Sequence, residues 1–217
     1  MSTNGGTRRN ILRPMRLDRE HECGHDAPMG SKPQQVLRDK AELESLIQVC
    51  LEVSKLAGRA ISRDQIEEDW QNAPHKKPSE DQMRFIYIFM LPNNEPLKVG
   101  MSAFAGRHTE LGHQYRPGKG GTLAHAILRC KKKIMDHCPT DMHSELDQLG
   151  EGRIESWMVN KLDLIKFRFE KNVDPMAIAL LEVFLQCKLN PVFEGAGKGW
   201  GSQKKLRDPP KKNTGTT

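Results

Sequence analysis

A carboxylate in the last strongly apolar stretch of the sequence is the first feature with chemical potential. MAIALLEVFLQCKL follows Asp174-Pro175, and its side chains are apolar nearly all round except near Glu182 and Gln186. An ionised carboxylate among apolar neighbours needs a partner. Three readings supply one: a narrow solvent-facing stripe with Gln186, an ion pair with an arginine, or a cation ligand at the edge of a core. A second group lies upstream. Tyr87 and Lys98 fall on two strand-like runs, and Arg107 falls early in the segment that follows. A hairpin with a mid-strand tyrosine opposite a lysine, followed by a helix presenting an arginine, can bring a phenol and two cations together. Each of these residue types is also common on ordinary surfaces.

The elements that must position these groups are read from period and punctuation. Residues 35–73 have a helical period, with Leu37, Leu43, Leu46, Ile47, Cys50 and Val53 recurring at three- and four-residue steps. Gly58 ends that helix, and Ser62-Arg63-Asp64-Gln65 caps a short second one running to Trp70. Such a pair is either a packing element or a DNA-reading helix-turn-helix. Residues 71–80 read as a polar linker. MRFIYIFML is a strand by its aromatic and β-branched content, Pro92 to Pro96 is turn chemistry, and PLKVGMS is a second strand. Residues 103–115 look helical, 116–121 form a loop, and Thr122 caps a further helix that leads into Lys131-Lys132-Lys133. Residues 139–152 look irregular. Strands are expected near 154–159 and 163–169. Asp174 as N-cap and Pro175 at the first helical position open the last helix, which Asn190-Pro191 stops.

Composition narrows the partners. Apolar residues make up 36% of the chain and no run approaches the ~18 needed to span a bilayer, so a membrane partner is not expected. The basic N-terminus has no apolar segment of the kind a secretory signal needs. Five scattered cysteines without a Cys-x-x-Cys pair argue against a disulfide scaffold and for a reducing setting, cytoplasmic or, in a eukaryote, nuclear. A net charge of +6 and a pI near 9.1 suit either simple solubility or a polyanion partner. Residues 1–35 and 196–217 read as disordered, the latter basic.

Phe85-Ile86-Tyr87, Lys98-Val99-Gly100, Arg107 and Glu182 ahead of Leu189-Asn190-Pro191 stand in an order that resembles the GIY-YIG nuclease superfamily. The first triplet is FIY. The second is KVG, with Lys98 where most members have tyrosine, as in some restriction-endonuclease and phage-related branches. The resemblance covers about 83–195. Two positions depart from the pattern: Leu111 stands where many members have histidine, and Glu194 where many have asparagine. His108, His113 or Tyr115 would be the substitute for the first and Asn190 a displaced equivalent of the second.

The resemblance implies a DNA endonuclease that uses Mg²⁺, or Mn²⁺, for restriction or repair. Glu182 would ligate the metal, Arg107 would clamp the scissile phosphate, and Tyr87 would be the general base or position the water. An unperturbed phenol near pH 10 is a poor base, and Lys98 would supply the charge that favours the phenolate or orients the water. Lys119, Arg129 and Lys132 would contact the DNA backbone. One site cuts one strand, so a double-strand cutter is expected to be a homodimer. The rival reading is a DNA-binding protein whose nuclease site has decayed, and a third is an interaction module built on the N-terminal helices. The cluster at His21, Cys23 and His25, and the one at His137, Cys138 and His143, fall short of usual zinc ligand sets. The glycine-rich run after Gly195 lacks phosphate-loop spacing.

The expected architecture is α/β, a small three-stranded antiparallel sheet flanked by helices. Its segments are a disordered stretch over 1–35, a helical extension and linker over 36–80, the nuclease-like domain over 81–195, and a basic tail over 196–217.

Overall fold

The computed structural model describes residues 37, 39–76, 83–102, 110–117 and 122–193. The expected N-terminal segment and C-terminal tail lie outside them. The first helix, α1 (Lys40–Leu56), starts where the Asp39 carboxylate accepts from the Glu42 N–H at 2.9 Å. It buries Leu43, Leu46, Ile47 and Cys50, and it ends at Gly58, whose φ of 68° suits a residue without a Cβ.

The next segment corrects the helical reading. Ser62 to Gln65 is a capping box, with the Ser62 N–H donating to Gln65 Oε1 at 3.0 Å, but it closes only a single 3-10 turn. Ile66–Gln71 is then a strand, β1, not a helix reaching Trp70. IEEDWQ alternates: Ile66 and Trp70 pack into a core, while Glu67 and Asp69 face the other way.

β2 (Arg84–Met90) and β3 (Pro96–Ser102) form the expected hairpin. Its turn is closed by the Leu91 N–H on Glu95 O at 2.9 Å, with Asn94 at φ 64°. β4 (Asp163–Phe169) matches the expectation for 163–169. The sheet has four antiparallel strands in the order β1-β4-β2-β3, one more than the three expected. The additional strand comes from the segment read as a helical extension.

Short helices fill the span between β3 and β4: α2 (Glu110–Gln114), α3 (Leu123–Arg129), α4 (Lys131–Met135), α5 (His143–Asp147) and α6 (Glu151–Lys161). The strand expected near 154–159 lies inside α6, because Ile154, Trp157 and Met158 make a helical stripe that is buried. The stretch 139–152, expected to be irregular, holds a 3-10 turn and α5. The last helix, α7 (Pro175–Leu189), begins as expected, with the Asp174 carboxylate accepting from the Met176 N–H at 2.9 Å.

The sheet separates two cores. Phe85, Tyr87 and Phe89 face α3 and α6; Ile86, Ile88 and Met90 face α1 and α7. Among the described residues no helix is long and apolar enough to cross a membrane. Among the described residues Cys50, Cys138 and Cys187 are free thiols and Cys130 is disulfide-bonded, a bond the expectation of a reducing setting did not include.

Ile88 is fully buried in a strand paired on both sides. Ile88→Ala is expected to cost about 3 kcal/mol of unfolding free energy in a urea titration. Leu56→Ala, at a side chain 88% exposed, should stay within about 0.5 kcal/mol.

Candidate active site

The hairpin register decides which groups meet. Phe85 faces Ser102, Tyr87 faces Gly100, and Phe89 faces Lys98 across the β2–β3 ladder. Directly paired residues share a face of a sheet, so Tyr87, Lys98 and Ser102 project to the same side. All three are buried, at 4%, 5% and 4% exposure. A Cβ built on Gly100 would collide with the hydroxyl, Cζ and Cε2 of Tyr87. The phenol therefore lies across the backbone of β3 at Gly100. Lys98 and Ser102 flank it on the same strand face, each about 7 Å along the strand. Phe89 packs edge-on against the Tyr87 ring at 5.7 Å and Phe85 is tilted to it at 6.4 Å.

Glu182 is the midpoint of α7. That helix covers the opposite face of the sheet through Ala177, Ile178, Leu181, Leu185 and Leu189. Its two ends are pinned. Arg84 Nη1 at the start of β2 donates to Val173 O at 3.2 Å, just before α7 begins. Beyond its end, the N–H groups of Val192 and Phe193 donate to Pro96 O and Leu97 O of β3, each at 3.1 Å. α7 thus runs antiparallel to β3, and Glu182 is level with the middle of that strand. The carboxylate is half-buried and accepts from Gln186 Nε2 at 3.4 Å.

The other expected site residues divide. Arg107, His108 and Lys119 lie outside the described residues, as does Glu194. Tyr115 is a core residue. Its hydroxyl donates to His75 Nε2 at 2.6 Å, and His75 Nδ1–H donates to Leu162 O at 2.7 Å. Burial pushes the Tyr115 phenol upward and the Glu155 charge adds to it. Burial likewise pushes His75 downward, more than the Leu162 carbonyl and Asp163 raise it. Both groups are neutral near pH 7, and this phenol is a poor proton acceptor. Asn190 is the left-handed C-cap of α7 at φ 47°, with its N–H on Gln186 O at 3.0 Å. Arg129 and Lys132 are exposed where α3 meets α4. Arg129 is engaged, Lys131 donates to Asp147 O at 2.9 Å, and Lys133 donates to Val192 O.

A charged group on the same sheet face has no counterpart in the sequence reading. Lys166 of β4 is directly opposite Tyr87, is 5% exposed, and places its Nζ 3.0 Å from Asp69 Oδ2. Asp69 also accepts from Arg168 at 3.0 Å and Gln71 at 2.7 Å. Burial pushes the Asp69 carboxyl upward, but the hydrogen bonds from Gln71 and Lys166 and the neighbouring charges outweigh it and hold the group below its usual range. The alternation Leu164, Lys166, Arg168 is the sequence signal for this face.

Among the described residues no three His, Cys, Asp or Glu side chains cluster as a metal cage. At the second histidine–cysteine cluster, His137 Nδ1 is 2.6 Å from Glu95 and His143 Nε2 is 3.0 Å from Met135 O. No family model, curated protein or solved structure matches the chain.

Two predictions follow from this geometry. Gly100→Ala forces the Tyr87 ring off β3, at about 1–3 kcal/mol of stability, with displaced Tyr87 ring resonances in NMR spectra. His75 has a folded pKa below its ordinary 6.5, so its contribution to stability is complete above that value and is lost as pH falls through the lower folded one. Melting temperature should therefore drop on acidification from neutral to about pH 5, and His75→Gln should flatten that part of the curve.

Proposed function

We propose that the protein is a divalent-metal-dependent endonuclease that hydrolyses DNA phosphodiester bonds. The observation that carries this reading is the Tyr87 phenol laid across Gly100 with Lys98 beside it on the same face of the hairpin. A phenol near a buried ammonium is biased toward the phenolate, the form that accepts a proton from water. The water oxygen bonds to phosphorus as the bond from phosphorus to the leaving sugar oxygen breaks. The water proton goes to Tyr87, and the leaving oxygen takes a proton from solvent. Arg107 is assigned the clamp on the non-bridging oxygens, where a planar guanidinium binds two at once.

Glu182 fits the metal role by its chemistry. A half-buried single carboxylate suits Mg²⁺ or Mn²⁺, which bind protein through one or two carboxylates and keep waters and phosphate oxygens as their other ligands. When bound, the cation neutralises charge developing on the phosphate. The position of α7 supports the assignment. β3 and β4 both run antiparallel to β2, and the chain between them packs helices on the Tyr87 face. With the right-handed crossover such connections take, the two flanks of the right-handed α7 are distinguished. At about 100° per residue, Phe184 turns toward α1 and Glu182 toward β3, the edge strand of the described sheet. Phe184 is the one of the two that packs against the core shared with α1. α7 and the Tyr87 ring lie on opposite faces of the sheet, so this reading requires the carboxylate to reach the phenol around the edge of β3.

The basic balance of the chain and the exposed Arg129 and Lys132 suit contacts to the DNA backbone, and cutting both strands calls for a homodimer. In the presence of Mg²⁺ the protein is expected to nick plasmid DNA. Glu182→Ala should reduce the rate at least about a hundredfold with DNA binding retained. Salt-sensitive binding without cleavage in Mg²⁺ or Mn²⁺ would instead establish the decayed, DNA-binding form, and no binding at all would overturn both.

A further inference from the structure

α7 covers the sheet with one side and leaves another apolar side uncovered. The large hydrophobic side chains exposed among the described residues are Leu56, Met176 and Val183, at 88%, 61% and 37%, and all three belong to the α1–α7 layer. Met176, Leu180, Val183 and Cys187 follow one another at steps of four, three and four, the spacing of a stripe along one side of a helix. Leu180 is half-buried and Cys187 is an exposed free thiol. The residues α7 buries, among them Ile178, Leu181 and Leu185, occupy the opposite side, against the sheet. Leu56 borders the stripe, because the Arg59–Asp174 ion pair ties the end of α1 to the start of α7. A helix that is apolar nearly all round is one buried on more than one side.

We infer that this stripe is where a second copy of the chain docks, with α7 antiparallel to α7 across a two-fold axis. The charge pattern suits a copy of itself. At about 100° per residue Glu182 and Lys188 fall on the two flanks, roughly 100° or more from the centre of the stripe, so two copies meet without like charges opposed. The side-chain sizes are also self-complementary. With the axis level with Leu181 and Glu182, Met176 meets Cys187 and Leu180 meets Val183, a longer side chain against a shorter one at each level, while Gln186 passes over Ala179. The contact is closed, since each stripe is used up by the other and assembly stops at two. Its extent sets its strength. One face of a 15-residue helix, about 22 Å long and with Leu56 at the rim, is less than the roughly 800 Å² per partner of a standard interface, so the dimer is reversible, with a Kd on the order of 10 µM. The Tyr87 ring is on the other face of the sheet and stays outside the contact. The nuclease reading calls for two copies without saying which faces meet; this inference goes beyond it and is tested by assembly alone.

Sedimentation equilibrium of the full chain up to about 200 µM, well above the expected Kd, is compared for wild type, Met176→Glu and Val183→Glu. Iodoacetamide labelling of Cys187, read by peptide mass, is followed over the same range, and melting temperature is measured at a concentration where the wild type is monomeric. The expected result is a monomer–dimer equilibrium in the wild type, weakened about tenfold or more by either glutamate, with the melting temperature unchanged. Labelling of Cys187 should slow as the wild-type concentration rises through the dissociation constant, and stay constant in Val183→Glu. A wild type that remains monomeric throughout overturns the inference, as does a dimer that tolerates both glutamates and therefore uses another face. Cys187 protected equally at every concentration overturns it too, because the stripe is then covered within one chain. Should the glutamates lower the melting temperature, the wild-type labelling decides: protection that rises together with dimer upholds the contact, and dimer without protection overturns it.

Discussion

The contact between the Tyr87 phenol and the bare backbone of Gly100 sets the arrangement of the site. An aromatic side chain on a strand ordinarily packs against the side chain of its cross-strand partner. Here the partner has no side chain, so the ring lies down over β3 and brings its hydroxyl between Lys98 and Ser102. Any Cβ at position 100 abolishes that approach. The glycine of the KVG triplet is explained by close approach, not by a turn or a positive φ. The same contact explains how Tyr87, on an inner strand and 4% exposed, places its hydroxyl over β3, the edge strand of the described sheet.

That contact holds only because β2 is held from both sides. Its alternate residues belong to different cores, Phe85, Tyr87 and Phe89 to one and Ile86, Ile88 and Met90 to the other. A shift of register by one residue would exchange the two sets and put Tyr87 under α7. β4 on one side and β3 on the other oppose such a slip. So does the irregularity near Phe89 and Met90, which sets the start of β3. α7 adds a second constraint. Its ends are tied to opposite ends of the hairpin, through Val173 at Arg84 and through Val192 and Phe193 at Pro96 and Leu97. The level of Glu182 along β3 is thereby fixed by packing and backbone bonds at a distance from the carboxylate itself.

The hairpin, β4, α1 and α7 were legible because each carries its own local signal: alternation with turn residues, or helical period with a cap. β1 was not. IEEDWQ has a single β-branched residue, and the capping box just before it is a real helix-start signal that ends after one turn. What makes it a strand is pairing with β4 and the ion pairs of Arg168 with Glu67 and Asp69 across that ladder. α6 failed for a different reason. Over a window as short as IESWMVN the two periods overlap, and only the burial of Trp157 with Ile154 and Met158 decides for the helix. The site divides the same way. Tyr87 and Lys98 were readable from their place in the hairpin. Lys166 was not, since its significance depends on what lies across the ladder, which is a property of register.

The buried charges on the Tyr87 face indicate what the sheet is organised to do. Burying an ammonium is costly even when paired, and an apolar residue in the same space is commonly as stable or more so. This face nevertheless buries both Lys98 and Lys166, on either side of one tyrosine. The two are handled differently. Lys166 is met by Asp69, itself held by Arg168 and Gln71, so its charge is largely cancelled on the side away from β3. Lys98 is on the edge strand, on the side to which the phenol leans. Both lysines are thus engaged, and one stands on each strand that pairs with β2, on the face of Tyr87. A sheet selected for stability alone would carry leucine at both positions.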